Sequence, residues 1–361
     1  MISLGIVGWV ARKIKLFMKR IVYIFCASLS FTSVAFGQDP AFSQFFASPL
    51  TLNPALTGKF NGDVRVAGNY RNQWPAINNA FITSTVSVDG GIFKKALPET
   101  DTWGLGLMAM SDKTADGILT SNYISLSTSY HKSLDEDGLH QLGIGFQGTY
   151  ANKRLDGTKL NFEDQLDQQG GWTIPSGEAI AGHQVNLNYF DMNAGVLYNG
   201  SSDGANDFYF GASVYHINRP QESFTGNGTY TLHPRLTLHA GYSFPLSANN
   251  TLNYIHFSGM YSQQADATNI VLGGAWSINV NNNDVNPINF YLGSWVRFSN
   301  VTDAVIPYVG LDFSSFTLGI SYDVNVSALK SASESMGGIE VSLIYIKKTS
   351  DGRKPIPCPK F

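Results

Sequence analysis

The chain reads as an all-β protein, a transmembrane antiparallel β-barrel of about 14 strands, and three observations carry that reading. From Asp63 to Ile346 it repeats segments of roughly nine to twelve residues that alternate apolar with small or polar side chains, each closed by a turn. Charged residues make up only 14% of the chain, where soluble proteins carry about 25%, while aromatics reach 13% and glycines number 36. Beyond the N-terminal region there is no apolar run of the length a membrane-spanning helix needs. The clearest repeat is Phe316 to Val324, with Phe316, Leu318, Ile320, Tyr322 and Val324 on one face and Thr317, Gly319, Ser321 and Asp323 on the other. Period-two geometry produces that split when one face meets lipid and the other a wet lumen.

Taken in order, Lys19 and Arg20 precede an apolar stretch that runs from Ile21 to Val34, and Ala35-Phe36-Gly37 supplies small residues at the positions a signal peptidase reads. Residues 1–37 are therefore expected to be a secretory signal peptide cleaved before Gln38, with 1–17 an upstream extension of a natural start at Met18. A retained anchor would be too short, and bulky Phe25 before Cys26 does not suit lipid attachment there. Removing the segment takes away Arg12, Lys13, Lys15, Lys19 and Arg20, which leaves 19 basic residues against 27 acidic, a net charge of −8. That balance argues against nucleic acid as a partner. Of the two cysteines only Cys358 survives cleavage, so no internal disulfide forms.

Residues 38–62 do not alternate. Phe42, Phe45, Phe46, Leu50, Leu52 and Leu56 need burial, and the segment is expected to form a short plug in the periplasmic mouth. Strands are predicted over 63–74, 80–92, 102–112, 118–131, 139–151, 189–199, 207–217, 234–245, 251–262, 267–278, 287–299, 303–312, 315–325 and 337–347. The three longest connections, 152–188, 218–233 and 326–336, follow strands five, seven and thirteen, all odd. An even-stranded barrel with both termini in the periplasm places its odd connections outside, so the agreement favours fourteen strands. The loop 152–188 carries Trp172 and Pro175 and is long enough to be functional; Trp172, Pro175 and Arg219 are candidate partner contacts. Residues 348–361 form a proline-rich tail that cannot extend a strand. Its Cys358 and Phe361 are candidates for contacts in the periplasm, the terminal aromatic in barrel assembly.

No pair among His216, His239 and His256 has metal-site spacing, and no cofactor is implied. Arg235, Arg297, Asp323 and Glu340 are the ionisable residues expected to face the lumen, as a hydrated network bracing the barrel. No nucleophile, base and orienting group come together in sequence, so no enzyme is expected. Gly104-Leu105-Gly106 and Gly143-Ile144-Gly145 sit within strands and read as small inward residues that leave room in the lumen.

Three stretches together resemble the PorP/SprF family of the type IX secretion system of Bacteroidetes. The first runs from Gln38-Asp39-Pro40 through Phe42-Ser43-Gln44 and Leu52-Asn53-Pro54-Ala55-Leu56-Thr57-Gly58 to Tyr70-Arg71-Asn72-Gln73-Trp74. The second joins Asn193-Ala194-Gly195-Val196-Leu197-Tyr198 to Phe210 through His216 and to Arg219-Pro220. The third is Leu318 to Asp323 with Gly338 to Leu343, ending at Cys358-Pro359-Lys360-Phe361. The resemblance implies an outer-membrane barrel related to the long-chain fatty-acid transporter type that works with the secretion and gliding machinery. It further implies a role in exporting or anchoring a large adhesin-like surface protein with a C-terminal sorting domain. The alternative is an outer-membrane channel or carrier for small hydrophobic molecules.

Overall fold

Alternation becomes pleat in the computed structural model, which describes residues 38–77, 79–225, 230–247, 250–281, 287–299, 301–327 and 330–348. Residues 1–37, expected to be a signal segment, and the tail with Cys358 and Phe361 lie outside the described residues. Fourteen antiparallel strands follow one another around a closed barrel. They are β1 (Val64–Gln73), β2 (Phe81–Ile92), β3 (Thr102–Thr114), β4 (Leu119–Ser133), β5 (His140–Asp156), β6 (Gln184–Ser201), β7 (Asp207–Tyr215), β8 (Arg235–Ser247), β9 (Asn250–Gln264), β10 (Ala267–Asn279), β11 (Ile288–Ser299), β12 (Val301–Phe313), β13 (Phe316–Asn325) and β14 (Met336–Lys347). The barrel closes where β1 pairs with β14, from Val64 opposite Lys347 to Gln73 opposite Gly338.

Burial runs opposite to that of a soluble protein. In β4, Ile124 and Leu126 point outward at 58% exposure each, while Ser125 and Ser127 beside them point inward at 1%. The outward faces of the other strands repeat this, with Leu105 and Leu107, Ile144 and Phe146, Leu236 and Leu238, and Leu292 among the exposed side chains. So continuous an apolar belt is stable only against lipid. Replacing Leu126, at the middle of β4, by arginine is expected to destabilise the membrane-inserted barrel by about 2–4 kcal/mol. Urea titration in lipid vesicles reads that loss, and a change near zero would place the site at the water interface.

The connections divide by length as well as by parity. The three longest, after β5, β7 and β13, gather at one end together with the two-residue turn Ala265-Asp266 between β9 and β10, and no connection at the other end is longer than residues 93–101 between β2 and β3. By the rule that outer-membrane barrels keep short turns in the periplasm and long loops outside, the first end is external. The strands reach further than the alternation indicates. The ladder between β5 and β6 continues to Asp156 opposite Gln184, which shortens the long loop to residues 157–183. Polar pairs, such as Asn152 Nδ2 donating to Asn188 Oδ1 at 2.7 Å, hold this extension where no apolar face marks it.

Residues 39–62 line the barrel from within. Three helical turns, Phe45–Ala47, Pro49–Leu52 and Pro54–Leu56, make the segment compact, with prolines at the starts of the last two; proline suits a first helical position, where its missing N–H is not needed. Phe45, Leu52, Ala55 and Leu56 join Leu197, Tyr209, Met260, Tyr291, Trp295 and Tyr308 of the wall in one buried cluster. Phe46 packs 4.9 Å from the Trp295 ring and 5.6 Å from Tyr308. The lumen is therefore not simply wet, since much of its interior is a packed core. This accounts for the inward glycines. A Cβ on Gly145 would collide with the backbone of Pro54 and Ala55, and one on Gly104 with the Thr57 carbonyl.

The segment also reaches further than a cover over the periplasmic mouth. At one end the Asp63 N–H donates to the Lys347 carbonyl at 2.8 Å, at the short-turn end. At the other, the Asp39 N–H donates to Gln264 Oε1 at 2.9 Å, where β9 meets the long-loop end. Asp39 thus stands at the external end, not in the periplasm. The physical reason is burial: the apolar side chains spread over Phe42 to Leu56 cannot all be covered at one rim, and the interior of the barrel covers them together.

Candidate functional site

Three groups of wall residues hold the segment, each built from inward positions of strands far apart in sequence. The first lies on β1 and β11 to β14. The Ser43 and Gln44 amides donate to Glu340 Oε2 and Oε1 at 2.8 and 2.9 Å. Gln44 Nε2 donates to Ser321 Oγ and to the Glu340 carbonyl, each at 3.0 Å, and accepts on Oε1 from Ser342 Oγ at 2.7 Å. Around them Arg71 pairs with Asp323 at 2.9 Å and Glu340 at 3.3 Å, while Arg297 pairs with Asp323 at 2.7 Å and Asp303 at 2.7 Å. Ser43 Oγ donates to Asp323 and accepts from Arg297 Nη1 at 3.0 Å.

The second group anchors the middle and the end of the segment. Asn53 Nδ2 donates to the Val196 carbonyl at 2.9 Å, and Ser213 Oγ donates to the Leu52 carbonyl at 2.7 Å. Tyr215 Oη donates to the Leu50 carbonyl at 3.0 Å. Arg65 grips Asp89 through Nε and Nη2 at 2.9 and 2.7 Å, and its Nη2 also donates to the Leu56 carbonyl at 3.0 Å. Asp89 in turn accepts from the Gly58 amide at 2.7 Å. Lys59 is buried against Gln141.

The third group sits at the long-loop end. Asp39 lies 2.7 Å from His216 Nε2 and 3.2 Å from Arg235 Nη1, and His216 Nδ1 is 3.0 Å from Asp191. The connection between β7 and β8 folds inward here. Leu232, 4% exposed, packs with Ala151 and Tyr189, and Glu222 accepts from Lys153 Nζ at 2.7 Å. Burial works against charge on both partners of the Asp39 pair. The His216 imidazole is nonetheless raised to about 9, because Asp39 and Asp191 outweigh burial. The Asp39 carboxyl is held below the ordinary carboxylate range by His216 and Arg235.

The sign of the pH dependence follows. His216 contributes stability that is fully present below its unfolded value near 6.5 and is lost as pH rises through about 9. Asp39 contributes above its own unfolded value, near 3.8, and loses it as pH falls through the lower folded value. The latch is therefore strongest between roughly pH 4 and 6.5. Limited proteolysis of the described part of the β7–β8 connection is expected to accelerate as pH rises from about 6.5 to about 9 and to level off beyond it, and His216→Gln should remove that step. An unchanged step in the variant would assign it to another group.

The four charged residues expected in the lumen all face inward, but they meet the N-terminal segment or its salt-bridge partners. Arg297, Asp323 and Glu340 form one cluster, and Arg235 stands apart from it with Asp39. Arg71, Arg65, Asp89, Asp39 and His216 belong to the same machinery; sequence names His216 only in setting aside a metal site, places Asp39, Arg71 and His216 in the family-like stretches, and gives Arg65 and Asp89 no role. Their signal was present: Arg65, Ala67, Asn69 and Arg71 fall on one face of β1 while Val64, Val66 and Tyr70 fall on the other. Of the candidate partner contacts, Trp172, Pro175 and Arg219 are exposed on the long-loop end.

A comparison with curated protein sequences returns no match. Among solved structures the chain is similar to the Pseudomonas putida toluene transporter TodX, with 10% identity over 88% of this chain and 100% of that one, at a TM-score of 0.50. It is also similar to a Pseudomonas aeruginosa FadL homologue (10% identity, 81% and 92% covered, TM-score 0.39) and to Haemophilus ducreyi BamA lacking POTRA domains 1–3 (8%, 80% and 70%, TM-score 0.42). At such identity the TodX likeness shows the fold alone, that of an outer-membrane β-barrel. The profile described as type IX secretion system membrane protein PorP/SprF matches residues 34–345, a range that takes in the segment in the lumen and nearly all of β14. With a closed outer-membrane barrel of fourteen strands and a family match over most of its length, the chain belongs to the PorP/SprF family of type IX secretion system membrane proteins.

Proposed function

We propose that this barrel is a non-enzymatic outer-membrane platform that helps a large adhesin-like surface protein leave the cell by the type IX route or stay attached to it. The external loops contact that partner, and the periplasmic face meets the secretion and gliding machinery. The observation that supports this most is the loop 157–183. It is internally ordered: Leu166 and Trp172 form a bridge, and the Asp167 carboxylate accepts from the Gln169 and Gly171 amides at 2.9 and 2.7 Å and from Thr173 Oγ1 at 2.6 Å. Yet Leu166, Trp172 and Ile174 are held outward, at 47%, 50% and 46% exposure. Large apolar side chains fixed in water on an ordered loop are what a protein partner buries.

A channel or carrier for small hydrophobic molecules remains the second reading, favoured by the fold shared with TodX. The segment that fills the lumen supports the first reading over the second. The two separate in a chromosomal deletion complemented by the wild type or by Trp172→Ala. The proposal expects less secreted protein on the surface in the deletion and partial recovery with Trp172→Ala. Full surface display without the gene, together with steady conductance of the purified barrel in planar bilayers, would favour transport.

A further inference from the structure

We propose that Ser43 and Gln44 lock the seam at which the barrel closes, so that β1 and β14 stay joined only while the N-terminal segment occupies the lumen. Every other neighbouring pair of strands is consecutive in the chain and tied by a connection, whereas β1 and β14 come from opposite ends of the barrel sequence. Such a pair has no short loop to lower the entropy of bringing its strands together. Arg71 and Glu340 are register partners across it.

Besides the ladder and the Arg71–Glu340 contact at 3.3 Å, the segment joins them. Glu340 takes the two successive amides of Ser43 and Gln44. Arg71 Nη1 donates to Ser43 Oγ at 2.5 Å. The Gln44 carboxamide is read by Ser321 and by Ser342 and the Glu340 carbonyl of β14. The wall thus carries a recognition site for a short peptide with two free N–H groups, a hydroxyl and a carboxamide, assembled only when β1, β13 and β14 are in register. With the segment withdrawn, Glu340 loses both amide donors and keeps the Arg71 contact at 3.3 Å as its ion pair. The seam then rests on its backbone ladder and one ion pair that water screens. Withdrawal would open the wall sideways at this seam and present two unpaired strand edges.

Hydrogen exchange on the full-length protein in lipid nanodiscs, read by mass spectrometry, tests the lock. Ser43→Ala/Gln44→Ala keeps the two backbone amides on Glu340 but removes the hydroxyl that meets Arg71, Arg297 and Asp323 and the carboxamide that meets Ser321 and β14, and the amides of β1 and β14 should then exchange about tenfold faster or more, the loss expected for hydrogen bonds to buried charged groups, with β6 to β8 unchanged. Asn53→Ala, which loosens the segment against β6 and β7, should give the converse pattern. Where the double variant does not fold, Gln44→Ala alone makes the same comparison. Unchanged protection of β1 and β14, or equal acceleration in all strands, would overturn the proposal.

Discussion

Replacing Asp323 by alanine is expected to destabilise the folded barrel by about 3–5 kcal/mol, the cost of removing one partner from a buried array of charges. Asp323 is 1% exposed and stands between two guanidinium groups, Arg71 at 2.9 Å and Arg297 at 2.7 Å, with Ser43 Oγ donating to it at 2.9 Å. Its loss leaves two buried cations facing each other across a gap. Asp323→Asn keeps an acceptor in place and should cost less than alanine, because only the charge is lost. Urea unfolding in lipid vesicles, followed by tryptophan fluorescence, measures both. A cost below about 1 kcal/mol for alanine, the range of an exposed pair, would show that water reaches the array and that the segment does not seal it.

Trp295→Ala is expected to cost about 3–5 kcal/mol, as for other large aromatic deletions from packed cores. Trp295 is 1% exposed, its Nε1 donates to Ser258 Oγ at 3.1 Å, and Phe46 and Tyr308 pack on it. In an open, watery lumen the same deletion would cost little. Because Phe46 shares this site, Phe46→Ala and Trp295→Ala should be less than additive, with a coupling of about 0.5–3 kcal/mol. Simple additivity would mean that segment and wall do not pack on each other in the membrane.

The fold was largely legible because a lipid-facing strand must alternate, and the sequence alternates cleanly in copies such as Phe316 to Val324. Loop parity then counted the strands, since a missed strand shifts every long loop to the wrong side. The ends of β5 and β6 were hidden, because beyond the membrane a ladder is held by pairs such as Asn152 and Asn188, which carry no apolar pattern. The site was legible only in part. Glu340, Asp323 and Arg297 show as charges on inward faces, but their common partner is a backbone stretch at Ser43 and Gln44. Backbone amides leave no trace in composition. The family-like stretches around Phe42-Ser43-Gln44, Arg71, Asp323 and Glu340 lie far apart in the chain, and only closure of the barrel brings them into one cluster. Their spacing in sequence carries no hint of it.

The segment within the lumen adds one traverse to those made by the strands. A barrel with an even number of strands returns its chain to the side on which it began, but here Asp39 stands at the external mouth while Lys347 ends β14 at the short-turn end. The polypeptide between them crosses the bilayer an odd number of times. Closing the ring around residues 39–62 sets them in place in one step, whereas a ring closed first would have to be threaded by them from one mouth to the other.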